Sequence, residues 1–133
     1  ACNTTMTSPG LMTMTTDEAA NERIPRRYLQ EFLLLSLECG GTSYGYELCE
    51  TLRAQGLSVD LAGVYRGLRA MDQRDLVTAT WAPSESGPDR RVYALTDAGH
   101  QAARDAALEL VGLRDALTDA IAGFGVLLPR SGA

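Results

Sequence analysis

The chain contains no lysine; all twelve of its basic residues are arginines. That absence excludes a phosphate-binding P-loop, and residues 40–43, which read GGTS, also lack the glycine spacing of one. There is a single histidine, His100, far along the chain from Cys49, so a thiol nucleophile has no nearby base and Cys49 reads as a small core residue. The three cysteines, Cys2, Cys39 and Cys49, are an odd number without the spacing of a disulfide framework or a zinc knuckle, which points to a reduced, cytoplasmic protein. No run approaches the roughly 20 apolar residues that a bilayer span needs, and the N-terminus lacks the basic start and apolar run of a secretory signal. A membrane role is disfavoured. With no paired-carboxylate spacing and no metal constellation either, the expectation is a protein without enzyme activity, cofactor or metal.

Excess positive charge is missing as well. The formal net charge is -5, which argues against a generic nucleic-acid coat with a broad basic surface. It does not exclude a small sequence-reading domain, which needs positive charge only on its contact face. Arginine grips phosphate or guanine through two parallel hydrogen bonds, so an arginine-only chain is compatible with base reading.

At 133 residues, 45% hydrophobic and 22% charged, the chain fits one compact domain with appendages. Residues 1–22 are rich in Thr, Met and Ser without aliphatic periodicity, and are expected to form a disordered tail. Residues 24–38 place Leu29, Phe32, Leu33, Ser36 and Leu37 on one helical face, with Pro25 suited to the first helical position. Arg26 and Arg27 sit at a positive helix end, and either meet an external anion such as phosphate or are solvated. After the break at 39–42, Ser43 is expected to cap a second helix over 44–55 that carries Leu48, Cys49 and Leu52 inward and closes at Gly56.

Asp60 then caps a third helix. Its core stripe is Leu61, Val64, Tyr65, Leu68 and Met71; Ala62, Arg66, Arg69 and Gln73 fall on the opposite face at spacings of four, three and four, with no acidic residue among them. Such a face suits a major groove, where Arg reads guanine and Gln reads adenine, although arginines are also common on solvated helix surfaces. A hairpin follows. Residues 76–82 and 91–96 are strand-like and flank a turn-rich segment, 83–90. Pairing that is symmetric about Ser86 sets Trp81 opposite Arg91 and Ala79 opposite Tyr93, with Val77 and Leu95 on the same side. Trp81 reads as a fold-holding residue stacked by Arg91, and Arg90 at the wing tip as the better candidate for a backbone or minor-groove contact.

Thr96 caps the last helix, with Asp97 in its first turn. A seven-residue repeat runs along it, with Ala103, Leu110, Leu117 and Phe124 in one position and Ala106, Leu113, Ala120 and Leu127 in the other. A stripe of that length needs a partner to bury it, as a helix pair across a dimer or folded back on the first helix of either subunit. Pro129 is expected to end the ordered part.

The expected fold is α+β, mainly α: a winged helix-turn-helix with a three-helix core and a two-stranded wing over 24–96, a long dimerisation helix over 97–128 and a flexible tail at 129–133. The expected function is a dimeric, sequence-specific transcriptional regulator that binds double-stranded DNA at a pseudo-palindromic operator. Dimer contacts are assigned to Leu110, Leu113, Leu117, Phe124 and Leu127. The competing reading is a winged-helix adaptor that binds protein, and the sign of the surface around Arg66, Arg69 and Arg90 discriminates between the two.

Three pieces, SYGYEL (43–48), VYRGLRAM (64–71) and GPDRRVYALTDAG (87–99), stand in the order and spacing of the PadR family of bacterial transcriptional regulators, which the chain resembles over roughly 29–99. The resemblance implies a winged helix-turn-helix, a dimer formed through the C-terminal helix, and repression relieved by a small-molecule effector. On the matching positions it implies a DNA-facing set of Tyr44, Tyr65, Arg66 and Arg69 with Gly87, Pro88, Arg90 and Arg91 of the wing, to which the helix-face reading adds Gln73. Ala62-Gly63 stands where the family commonly has Gly-Thr, and Asp75 where a Gly usually ends the third helix. The C-terminal helix has no Trp or Tyr, which argues against a flat aromatic effector held between subunits.

Overall fold

The computed structural model describes residues 22–85 and 87–125. A short 3-10 turn at Arg26–Tyr28 leads into α1 (Leu29–Gly40), followed by β1 (Ser43–Tyr44), α2 (Gly45–Ala54), α3 (Leu61–Gln73), β2 (Val77–Ala82), β3 (Arg90–Leu95) and α4 (Asp97–Gly123). The architecture is the expected one, mainly helical with a winged helix-turn-helix and a long C-terminal helix. Of the tail expected over 1–22, residues 1–21 lie outside the described residues, as do 129–133 and Leu127, whereas Glu22 is held, its carboxylate accepting the Ser58 hydroxyl at 3.3 Å.

The core forms where the helical stripes converge. Leu33, Leu34 and Leu37 of α1 meet Leu48, Cys49 and Leu52 of α2 and Val64, Leu68 and Met71 of α3, with Val77, Tyr93, Ala103 and Ala106 closing the sides. Each fully buried Leu or Val contributes about 1.5–3 kcal/mol by leaving water. Burial also raises the pKa of the Cys49 thiol above its ordinary value, as expected of a core thiol. Leu34 extends the stripe read from sequence, whereas Leu61 and Tyr65 are corrections: each stays 38% exposed, because they flank the Val64–Leu68–Met71 line at the edge of the helix face.

Two helix starts also differ from expectation. Pro25 is extended, at φ -63° and ψ 148°, and precedes the 3-10 turn instead of opening α1. Ser43 caps nothing: its hydroxyl donates to the Glu47 carboxylate at 2.7 Å, and its backbone joins the sheet. The wing therefore has three antiparallel strands in the order β1-β3-β2, with Ser43 opposite Tyr93 and Tyr44 opposite Val92. Between β2 and β3 the register is the expected one, with Trp81 opposite Arg91, Ala79 opposite Tyr93 and Val77 opposite Leu95.

The end of α3, the root of the wing and the start of α4 meet at one junction. Leu76 N–H donates to the Met71 carbonyl at 2.9 Å, which closes α3 with Asp75 in the left-handed region at φ 61°. Thr96 N–H returns to the Leu76 carbonyl at 3.0 Å. The Thr96 hydroxyl donates to the Asp75 carbonyl at 2.7 Å while accepting the Gly99 amide at 3.0 Å as the cap of α4. Gly99 lies so close to the Leu76 carbonyl that a β-carbon there would collide with it. His100 then reaches back to Glu38 at 2.6 Å, fastening the first turn of α4 to the end of α1.

Two substitutions at this junction should act in opposite directions. Gly99→Ala should lower stability by about 1–3 kcal/mol, because the methyl must displace backbone. Asp75→Gly should raise it by about 0.5–1 kcal/mol, the relief of left-handed strain exceeding the added chain entropy. Urea unfolding midpoints measure both, and a stable Gly99→Ala variant would contradict the geometry.

Candidate nucleic-acid interface

The outward face of α3 is built by its cap and its core stripe. The Asp60 carboxylate accepts the Gly63 amide at 2.8 Å, and this bond is the main reason its pKa lies below the usual value; the nearby charges of Arg26 and Arg66 lower it further. The cap's contribution is therefore present above the unfolded carboxyl pKa and is lost as pH falls through the lowered folded one. With Val64, Leu68 and Met71 buried, Ala62, Arg66, Arg69 and Gln73 turn outward together and all are exposed. The side chains of Arg66, Arg69 and Gln73 make no hydrogen bond or ion pair among the described residues. Such donors can engage an acceptor-rich partner without first breaking an internal bond.

The other candidate residues collect around the wing. Tyr65 leaves the α3 core line and lays its ring over Gly45, the first residue of α2, where a β-carbon would overlap the ring. Tyr44, at the end of β1, carries the Arg90 guanidinium 4.3 Å from its ring centre, and Trp81 carries that of Arg91 at 5.6 Å. Tyr44, Tyr46, Tyr65, Trp81, Arg90 and Arg91 line an open groove of about 650 Å³. Gly87, at φ 118°, and Pro88 are exposed in the turn.

Two expectations change here. Arg90 is not loose at the tip; it is the first residue of β3, paired with Ala82 and held over Tyr44. Trp81 keeps its contact with Arg91 but is 64% exposed, so its side chain adds that stack to the hairpin rather than core packing. The core side of the sheet ends before the wing tip. Tyr46, 55% exposed beside Tyr44 and Tyr65, was not singled out from sequence; its signal is the pair of tyrosines flanking Gly45 in SYGYEL.

The face assigned to dimerisation lies on α4. Ala103 and Ala106 are buried and α4 packs against α1, but beyond them Leu108, Val111, Leu113, Leu117 and Ile121 stay exposed, as does Phe124 just after the helix, at 82%. Leu110 is half-buried. No described helix is long and apolar enough to cross a membrane.

The sequence profile of the Transcriptional regulator PadR-like family matches residues 33–105, more than half of the chain. The chain belongs to this family. It is thus a PadR-like transcriptional regulator, not an enzyme. Solved structures carry the same fold. A PadR family transcriptional regulator from Eggerthella lenta superposes with a TM-score of 0.62 at 24% identity, covering 72% of this chain and 83% of its own. A PadR-like transcriptional regulator from Bacillus cereus gives 0.64 at 24% identity, covering 71% and 92%. PadR of Bacillus subtilis, whose structure contains operator DNA, gives 0.51 at 21% identity, covering 58% of this chain and 45% of its own. A search of curated proteins finds no match.

In the PadR-like wing, the lone tryptophan reports on its own stack. Arg91→Ala should shift the Trp81 emission and cost about 0.5–1 kcal/mol, the range for an exposed cation–π contact. Emission identical to that of the wild type would show that the guanidinium does not sit on the ring in solution.

Proposed function

We propose that this PadR-like regulator works as a homodimer that binds a pseudo-palindromic operator in double-stranded DNA and represses transcription. In this reading α3 enters the major groove, with Arg66, Arg69 and Gln73 at base edges, while Arg90, Arg91, Gly87 and Pro88 meet the flanking backbone or minor groove. Tyr44 and Tyr65 line the passage between helix and wing. The observation that carries it is the outward face of α3, with two guanidiniums that form no ion pair among the described residues, an amide, and no acidic residue among them. The adaptor reading would be favoured by an acidic surface around Arg66, Arg69 and Arg90. None of these arginines forms an ion pair with a carboxylate among the described residues, Asp60 and Arg66 interacting only at longer range, which supports DNA as the partner.

Residues 24–96 form the DNA-binding unit in this proposal, and 97–128 the dimerisation helix. The exposed line of Leu113, Leu117 and Phe124 supports burial against a second copy, with Leu110 at its edge; the sequence repeat assigns Leu127 to the same contact. The dimer would set two copies of α3 about one helical turn apart, roughly 34 Å. Repression, and its relief by a small-molecule effector, rest on the family resemblance. Along α4 there is no Trp, Tyr or Phe, so a flat aromatic effector between subunits is not part of the proposal.

Selection of binding sites from random duplex DNA, with sizing of the free protein, tests this reading. A dimer that enriches a pseudo-palindrome is expected; Arg66→Ala or Arg69→Ala should then cost about 1–3 kcal/mol and relax preference at one position per half-site. A monomer that enriches no sequence would overturn it.

A further inference from the structure

Residues 22–28 precede the family match at 33–105, yet the structure fastens them beside the start of α3. The amides of Arg23 and Ile24 both donate to the Gly56 carbonyl at 2.9 Å, and the Ser58 amide donates to the Ile24 carbonyl at 3.0 Å. Ile24 thereby bridges Leu57 in parallel and packs, partly buried, on the core. The Ser58 hydroxyl adds a bond to the Glu22 carboxylate at 3.3 Å. This leading segment is thus joined to the turn that runs directly into Asp60 and α3. Pro25 then directs the chain into the 3-10 turn, which buries none of its own residues.

The two arginines of that turn differ. Arg27 is occupied, with its guanidinium 5.2 Å from the Tyr28 ring centre and donating to the Tyr28 hydroxyl at 3.3 Å. The Arg26 side chain is exposed and makes no hydrogen bond, ion pair or ring contact among the described residues. Its charge nevertheless reaches Asp60, where it acts together with that of Arg66. Arg26 and Arg66 thus both act on one carboxylate, whose Oδ1 is already committed to the Gly63 amide. They do so at the end of α3 that carries positive partial charge, which leaves the surface there with an excess of unsatisfied donors.

We propose that Arg26 is a phosphate clamp. When α3 lies in the major groove, Arg26 holds a backbone phosphate beside the N-terminal end of that helix and fixes its register without reading a base. The inference rests on the DNA-binding reading above and extends the interface to a segment that the family match does not include.

Arg26→Ala, Arg26→Lys, Arg27→Ala and Arg66→Ala full-length proteins can be compared on a duplex selected by the wild type and on a scrambled duplex of equal length, across a salt series. Arg26→Ala should weaken binding about threefold to tenfold on both duplexes alike. The slope of log affinity against log salt should become shallower by about 0.9 for each phosphate released. Arg26→Lys should restore the slope, which a merely structural role would not require, and Arg27→Ala should match the wild type. If Arg26→Ala binds like the wild type while Arg66→Ala loses preference for the selected duplex, the clamp is overturned and the DNA-binding reading stands. If Arg66→Ala is also indistinguishable from the wild type on both duplexes, the placement of α3 in the groove fails, and the clamp with it.

Discussion

The Thr96 hydroxyl is the contact on which the geometry of this regulator turns. It donates to the carbonyl that follows the end of α3 and accepts the amide that begins α4, while the Thr96 amide ties the root of β2 to the end of β3. Helix, wing and long C-terminal helix are thereby fixed to one point. Because Gly99 permits the backbone there to approach without a side chain, the direction in which α4 leaves the domain is set within a few residues of the end of α3. In a dimer built on α4, this junction would convert the orientation of one helix pair into the separation of two copies of α3.

The acidic net charge and the proposed DNA-facing surface are compatible because the charges are distributed unevenly. Arg66 and Arg69 stand on one face of α3, Arg90 and Arg91 are stacked on aromatic rings, and Arg26 follows the segment bonded to the turn that leads into α3. Stacking limits the freedom of the two wing arginines before any partner arrives, which lowers the entropy lost on ordering them. The α3 arginines have no such restraint, and their reach suits adaptation to base edges.

Much of this was legible in the sequence because the relevant physics is local. Asp60 and Thr96 each bond an amide three residues ahead, and the register of β2 and β3 follows from alternation about a turn rich in Pro, Gly and Ser. The exposed arginine face of α3 followed from helical period alone. What escaped is non-local. A strand of two residues, Ser43–Tyr44, has no pattern of its own and exists only because β3 offers an edge. The bridge from Ile24 to Leu57 is likewise non-local and has no signal in the sequence around either residue. Alternation gave the side on which Trp81 lies but not how far along the wing the core extends, so its exposure and the groove it shares with Tyr44, Tyr46 and Tyr65 were not foreseen.

Amide hydrogen exchange, measured on the full chain with and without a duplex selected by the chain itself, tests most directly whether α3 and the wing together form the reading surface. Slowed exchange over 61–73 and 87–91 on adding the duplex is the predicted result. Exchange that slows only along α4, or that leaves α3 unchanged while the duplex is bound, would contradict it.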